Sequence, residues 1–329
     1  MFGSTMVIYV VRRLLYSIPV LFASTFLIFT FVSLSGDPLA QLRLLPNVDQ
    51  ATLQRIAERK HLDDPIPVRY VYWLRDAATN RFGTTLLGDR PIWPELKRAM
   101  GNTVQLLVAA QLLAVFLAIA IGVYSAMRQY SAFDYGATTF SFLGLSTPEF
   151  WLALMLQVLV VNIFLETDIR LFYVAGLSSP DAGEGIHFWI DRMQHLALPI
   201  FVISVGNIAV FSRFMRASML EVINSDYIRT ARAKGLVERR VVMRHAFRNA
   251  LVPLVTLVAL NFGGLIGGAV IAETIFQLDG MGAFYIQALG EADPYPIMAW
   301  LVLVAIGIVL ANLVADILLA TLDPRVRLT

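Results

Sequence analysis

The chain has no cysteine, only three lysines and only four histidines in 329 residues. The missing cysteine excludes disulfides, thiolate metal sites and cysteine nucleophiles together, so any part outside a membrane must hold without covalent staples. The lysines, Lys60, Lys97 and Lys234, are preceded by Arg, Leu and Ala. A phosphate-cradling loop needs Gly-Lys followed by Ser or Thr, so a nucleotide-hydrolysing engine of that kind is excluded from this chain. His61, His187, His195 and His245 are scattered, with no His-Glu-x-x-His or other ligand spacing, which leaves an intramembrane enzyme poorly supported. Charge is scarce too, at 15% of residues.

What fills the chain instead is apolar. Hydrophobic residues make up 57% and the mean hydropathy is +0.67. Windows of roughly 20 apolar residues recur along the whole length, which marks a polytopic membrane protein rather than a soluble one. Six spans are expected, at about 14–34, 103–126, 136–165, 196–216, 250–276 and 297–320. An even number puts both termini on one side. That side carries fourteen basic residues: Arg12, Arg13, Arg128, Arg213, Arg216, Arg229, Arg232, Lys234, Arg239, Arg240, Arg244, Arg248, Arg325 and Arg327. The short loops opposite carry only Arg170 and Arg192, so the positive-inside bias makes both termini cytoplasmic. The apolar run after Arg13 exceeds the 7 to 15 residues of a signal-peptide core, and no clear Ala-x-Ala cleavage site follows, so it is expected to stay as the first transmembrane helix.

Between the first two spans, residues 35–102 form the one sizeable non-membrane segment on the outer side. "NVDQATLQRIAERKHLDDPIP" reads as a short amphipathic helix with Asp49 as N-cap, Leu53, Ile56 and Ala57 on one face, and a stop before Pro65. Tyr70, Tyr72 and Trp73 in the next stretch suit a membrane interface. The segment is either a cap on the lipid headgroups or a docking surface for an external partner.

Acids within the expected spans are few. Glu149 follows Pro148 inside the third span, and Glu273 and Asp316 lie near the ends of the fifth and sixth, where snorkelling or pairing accounts for them. A single unexplained acid does not make a proton relay, and no repeat of the halves is evident, so an ion-coupled secondary transporter is the weaker alternative.

From Asp226 to Pro253 runs "DYIRTARAKGLVERRVVMRHAFRNALVP", with seven basic residues against two acids. Placing these charges in the bilayer centre costs about 3 kcal/mol each, so the stretch lies in water between spans. Its first half ends at Gly235, a natural helix C-cap. The second half reads as a helix from Leu236 to about Asn249, with Val237 and Val241 four residues apart. Two short helices joined at a glycine make a compact projecting element, whereas an ordinary basic loop on anionic lipid explains the charge but not the pattern.

"RTARAKG" followed by "LVERRVVMRHAFRNALVP" resembles the cytoplasmic EAA loop of permease subunits in binding-protein-dependent ABC importers, in its dipeptide, oligopeptide and nickel form. Counted back from Gly235, the Glu-Ala-Ala positions fall on Arg229, Thr230 and Ala231, so only Ala231 and Gly235 match the general motif. The general Ile-x-Leu-Pro ending falls on His245, Ala246, Phe247 and Arg248, a departure that is similar to the peptide-permease version. Three further stretches resemble the B-type subunit of that family: "RRLLYSIPVLFASTFLIFTFVSLSGDP", "AETIFQLDGMG" with "DPYP" (Pro294 inserted before Tyr295), and the tail "NLVADILLATLDPRVR".

The resemblance implies an all-α integral membrane protein with the six-helix transmembrane domain of a type I ABC importer. Its parts are residues 1–34 (cytoplasmic N-terminus and first helix), 35–102 (extracytoplasmic segment), 103–320 (five-helix core with a cytoplasmic coupling loop at 217–249) and 321–329 (cytoplasmic tail). The implied partners are a second homologous permease, two cytoplasmic ATPases or one fused, an extracytoplasmic peptide-binding protein and membrane lipid; no cofactor, metal or nucleic acid is expected. Arg229, Thr230, Ala231, Arg232, Ala233, Lys234, Gly235, Leu236 and Glu238 are the expected coupling residues. Arg239, Arg240 and Arg244 suit lipid headgroups beside the membrane. Glu149, Asn207, Asn261, Gly264 and Gly268 are the candidates for the substrate path. Gly263 with Gly267, and Gly264 with Gly268, stand at a spacing that favours close helix packing. Pro148, Pro199 and Pro253 are candidate pivots. Peptides are the expected cargo, with nickel or a metal chelate as the alternative within the same family.

Overall fold

The computed structural model describes residues 2–44, 48–79, 81–86 and 88–322, with side chains described at all of these except 2–10, 41, 262–268 and 318–322. The elements are α1 (Phe2–Leu34), α2 (Ala40–Arg43), α3 (Gln50–Arg59), α4 (Ile66–Thr79), α5 (Ile92–Met127), α6 (Ala132–Ser146), α7 (Glu149–Thr167), α8 (Ile186–Ile223), α9 (Asp226–Ala233), α10 (Glu238–Arg240), a π-helical stretch (Val241–Ala246), α11 (Phe247–Ile275), α12 (Met281–Gly290) and α13 (Pro294–Leu322). Among the described residues, extended pairing is limited to one isolated bridge, Thr84 with Pro91. Among the described residues, six stretches are long and apolar enough to span a bilayer: Val11–Leu34, Ile92–Met127, Glu149–Thr167, Ile186–Ile223, Glu238–Asn261 and Pro294–Ile317.

Several expected boundaries differ, for physical reasons. Helix α8 runs Ile186–Ile223 instead of about 196–216, because Asp191 and Arg192 before the apolar run and Glu221 after it are helical too. Helix α5 starts at Ile92 instead of near 103, because Glu95, Lys97 and Arg98 extend it beyond the apolar run that hydropathy detects. The third expected span is two helices. Pro148 lacks an N–H and pushes Thr147 out of the helical region, to φ −83° and ψ 120°, so α6 ends and α7 restarts with Pro148 as its N-cap. Pro148 is therefore a break, while Pro199 and Pro253 sit inside α8 and α11.

Helix α8 is the axis of the molecule, with 78% of its apolar window buried. It packs most extensively on α5. The reason is a run of small residues every fourth position, Ala110, Ala114, Ala118, Gly122 and Ala126, all buried. They form one stripe that lets the backbones approach, as small residues do between membrane helices. A Cβ on Gly122 would come within 2.7 Å of the Ser212 carbonyl and the Met215 side chain. Ser204 Oγ crosses the same seam to the Ala110 carbonyl at 2.9 Å.

The segment between α1 and α5 is folded onto the bundle. Asp49 caps α3 as expected, accepting from Thr52 N at 2.9 Å, and Ile56 and Ala57 are buried while Leu53 packs beside them. Helix α3 ends at Arg59, six residues before Pro65. Tyr70 and Trp73 depart from the interfacial expectation: they are buried against Phe29 of α1, Ile92 of α5 and Phe284 of α12, and Tyr70 Oη lies 2.8 Å from Thr25 Oγ1. Their apolar area is removed from water by α1 and α4 packing together, which hydropathy along one strand of sequence cannot register. Tyr72 is exposed and stacks on His61.

Two acids near helix ends have partners. Asp316 pairs with Arg13 at 3.0 Å, which brings the start of α1 and the end of α13 to the same end of the bundle. Glu273 is fully buried instead of snorkelling. Its carboxylate accepts from Thr103 Oγ1 and from Gly282 N at 2.6 Å, and Thr103 Oγ1 accepts from Met281 N at 2.8 Å. The first two amides of α12 are thereby satisfied by side chains of α5 and α11. Gly280 and Gly282 are required by this contact, since a Cβ on Gly282 would sit 2.5 Å from the Val270 backbone.

Candidate coupling element and membrane cavity

The basic stretch begins where α8 ends. Helix α9 opens with Ser225 and Asp226, and its Ile228 is fully buried beside Met215, Met219, Val241 and Ala246. Lys234 closes the helix, with Lys234 N bonded to Thr230 O at 3.1 Å and Gly235 N to Arg232 O at 2.9 Å. Gly235 then takes φ +76°, the left-handed conformation in which a Cβ is penalised and glycine is not. The turn is tied by Arg232, whose Nε and Nη2 reach the Glu238 carboxylate at 3.1 and 2.7 Å.

Beyond the turn, the arrangement departs from a separate second helix. Val237 is the N-cap of α10 and is 73% exposed, whereas Val241 is buried, so the two valines do not share a face. Backbone helicity then runs without interruption through Val241–Ala246 into α11, the fifth span. The six π-helical residues bury Val241, Val242 and Ala246, and they leave Met243 and Arg244 exposed. Alternate wide turns of this kind reset which side of a helix faces the core, and they recur at functional sites. Asn249 Nδ2 donates to Tyr227 Oη at 2.9 Å, fastening α9 to the base of α11.

Of the residues singled out in the sequence, Arg229, Thr230, Arg232, Ala233, Lys234, Gly235 and Glu238 are exposed, while Ala231 and Leu236 are half-buried and pack inward. The result is a projecting hairpin anchored by Ile228 on one limb and by a continuous span on the other. Arg239, Arg240, Arg244 and Arg248 are exposed along that second limb.

Sequence reading missed what pins this end of the bundle. Asp134 of α6 is buried and accepts both Arg216 Nε and Nη2 at 2.7 Å, together with Tyr130 N at 2.9 Å and the Ser125 hydroxyl. A partial signal existed in an acid and an arginine within or beside apolar runs, but their 82-residue separation hides the pairing.

The structure brings together two of the path candidates. Glu149 and Asn207 line one cavity of about 260 Å³ at the α6/α7 break, together with Leu145, Thr147, Val202 and Gly206. Glu149 Oε1 is buried with no hydrogen-bond partner, while Asn207 is buried and donates to Ile203 O at 3.2 Å. Asn261 lies elsewhere, on α11, with its Oδ1 also buried and unpartnered. Gly264 and Gly268, with Gly263 and Gly267, fall on residues whose side-chain surroundings lie outside the described set, as do Arg325 and Arg327 of the tail.

The sequence that forms this bundle and its basic hairpin matches a known family. Residues 118–328 match the family described as binding-protein-dependent transport system inner membrane component, and the chain belongs to that family. It is 39% identical over 325 residues to the oligopeptide transport system permease protein AppB of Bacillus subtilis, covering 98% of this chain and all of that one. It is 38% identical over 323 residues to OppB, the oligopeptide transport system permease protein of Mycobacterium tuberculosis, covering 98% of this chain and 99% of OppB. It is 35% identical over 334 residues to the dipeptide transport system permease protein DppB of Alkalihalophilus pseudofirmus, covering 98% of this chain and all of that one.

Proposed function

We propose that this chain is the translocating permease subunit of an ATP-driven importer of peptides. The observation that carries the proposal is the end-to-end similarity to permeases named for oligopeptide and dipeptide systems. In this reading both termini are cytoplasmic, residues 35–102 face outward and engage a peptide-binding protein, and a second homologous permease completes the path. ATP is hydrolysed by separate cytoplasmic subunits. The coupling loop at 217–249 docks on them through the projecting turn from Ala231 to Glu238, with Arg229 and Thr230 beside it and Ala231 and Leu236 holding it to the bundle. Glu149, Asn207, Asn261, Gly264 and Gly268 border the path.

The hairpin suits a lever. One limb is rigidly continuous with the fifth span, and the other is plugged by Ile228 against α8, so displacement of the turn is passed to two spanning helices. The test is Gly235→Trp in the complex reconstituted with its partner permease, ATPases and binding protein. Nothing lies within 4 Å of an added Cβ, so the Cβ itself costs only its left-handed backbone, about 1 to 2 kcal/mol. Expression and co-purification of partners are expected to stay normal, while peptide uptake and binding-protein-stimulated ATP hydrolysis fall together. Full activity in a normally assembled complex would sink the lever, and stimulation by nickel-loaded but not peptide-loaded binding protein would replace the cargo.

A further inference from the structure

The α6/α7 break does more than end a helix. Near Gly144 the end of α6 lies against the middle of α8, where an added Cβ would meet the Val205 side chain at 3.1 Å and Ala209 at 3.5 Å. Three residues on, Thr147 and Pro148 turn the chain away and leave the cavity of about 260 Å³ between the two α6/α7 ends and α8. Asn207 stands near the midpoint of α8, and Ser204, one turn before it, is bonded to Ala110 near the midpoint of α5. Both helices are the long central ones, so the cavity lies at about mid-depth in the membrane.

Its chemistry is lopsided. Among the lining residues the one ionisable group is Glu149, and none is Lys, Arg or His. The carboxylate does not cap α7, it makes no ion pair among the described residues, and one of its oxygens is buried without a partner. Acyl chains cannot solvate such a group, at a cost of about 3 kcal/mol for an acid at the centre of a bilayer. This side of α6, α7 and α8 therefore borders water or a polar ligand. The oxygens available are all acceptors or amide groups: the Glu149 carboxylate, the Thr147 hydroxyl already donating to Leu143 O at 2.7 Å, and the Asn207 amide. A metal ion would demand several hard ligands, whereas a primary ammonium brings three donors and one positive charge to one carboxylate and neighbouring neutral oxygens.

We infer that Glu149, with Asn207 and Thr147 beside it, forms a cation site at mid-membrane that receives the primary ammonium group of the transported substrate. The inference rests on the peptide-import reading for the identity of the amine, which in a peptide is its free amino terminus or a lysine side chain. Glu149 supplies the charge, and the apolar surface of Leu145 and Val202 beside it lowers the local dielectric in which that charge acts. A single acid holds the amine weakly enough for release, as a translocation path requires.

The absence of cysteine makes the site directly testable. Leu145→Cys or Val210→Cys, each on the cavity wall, places a thiol there in the complex with the partner permease and ATPases, without binding protein. Its modification rate by a water-borne maleimide is measured with tri-alanine, with N-acetyl-tri-alanine and with propylammonium. Tri-alanine and propylammonium, each at about ten times its half-saturating concentration, are expected to slow modification about tenfold. The acetylated peptide is expected to leave the rate unchanged, and Glu149→Gln is expected to abolish protection by both amines. Equal protection by the acetylated peptide, protection that survives Glu149→Gln, or two thiols that never react because the partner permease covers them would each overturn the site. A complex that imports no peptide yet keeps propylammonium protection retains the cation site and loses the peptide reading. Peptide import with no amine protection does the reverse.

Discussion

Arg216 and Asp134 show how much a single buried pair can carry. The guanidinium meets the carboxylate through two bonds of 2.7 Å, and the same carboxylate also serves the Tyr130 amide and the Ser125 hydroxyl. Removing Arg216 leaves a buried acid without a counter-charge, which costs about 3 to 5 kcal/mol. Arg216→Ala is therefore expected to lower the thermal unfolding midpoint in detergent strongly, and Arg216→Lys to fall between it and the parent because one donor geometry is lost but the charge stays. Equal stability of all three proteins would show that the pair is dispensable. In sequence Arg216 reads only as one more positive charge on the cytoplasmic side. Glu149 is the opposite case: an acid after a proline within an apolar run is visible in sequence, but its cavity and its unpartnered oxygen are not.

The element with the most unexpected role is the segment from α2 to the start of α5. It is fastened to the α12–α13 junction through a compact set of bonds. Asp293 is buried and accepts from Leu86 N at 2.5 Å and Tyr295 N at 3.0 Å. Lys60 Nζ donates to Thr84 O at 2.8 Å and lies 4.5 Å from the centre of the Tyr295 ring, and Arg90 pairs with Glu291 at 2.7 Å. Burial raises the Asp293 carboxyl above its ordinary range and lowers the Lys60 ammonium below its own. A raised carboxyl pKa means that its charge is a cost recovered on protonation, so mild acidification is expected to leave the junction intact. Asp293→Ala, by contrast, strands the buried Leu86 amide, at about 1 to 3 kcal/mol, and frees the half-buried Tyr295 amide. Amide exchange across residues 84–90 is expected to rise in that variant while α5 and α8 stay protected. Unchanged exchange would mean that the apolar contacts of Tyr70, Trp73 and Phe82 hold the segment alone. Of the helices of this segment only α3 was legible, from Asp49, Ile56 and Ala57; α2 and α4 were not. Nor was the attachment of the segment, because its partners lie about 200 residues away in sequence.

At the scale of the whole molecule, the even number of spans agrees with the Arg13–Asp316 pair, which joins the first helix to the last at one end. The proposed orientation follows from fourteen basic residues on that side against two in the short loops opposite. A membrane-impermeant thiol reagent applied to intact cells is expected to label Asp181→Cys and to spare Arg239→Cys, since the parent chain offers no thiol of its own. Labelling of the second variant from outside would invert the topology and remove the coupling hairpin from the ATPases.

The sequence by itself determined the class of the molecule: apolar windows count spans, proline and glycine mark breaks and caps, and charge sets sides. These are local properties, governed by transfer of a segment from water to lipid and by backbone sterics within a few residues. Thr147–Pro148 marks the limit of that reading, because the apolar run continues across it and hydropathy saw one span where backbone sterics make two helices. Tertiary structure alone decided which buried polar groups meet. Asp134 with Arg216, Glu273 with Thr103 and the amides of α12, and Asp293 with Leu86 each join residues from different helices or loops, while Glu149 and Asn207 come to one cavity without bonding each other. Among the described residues, buried oxygens left without a partner are those of Gln111, Glu149 and Asn261. A low-dielectric interior makes each of those meetings energetically decisive, yet no short-range pattern along the chain encodes it.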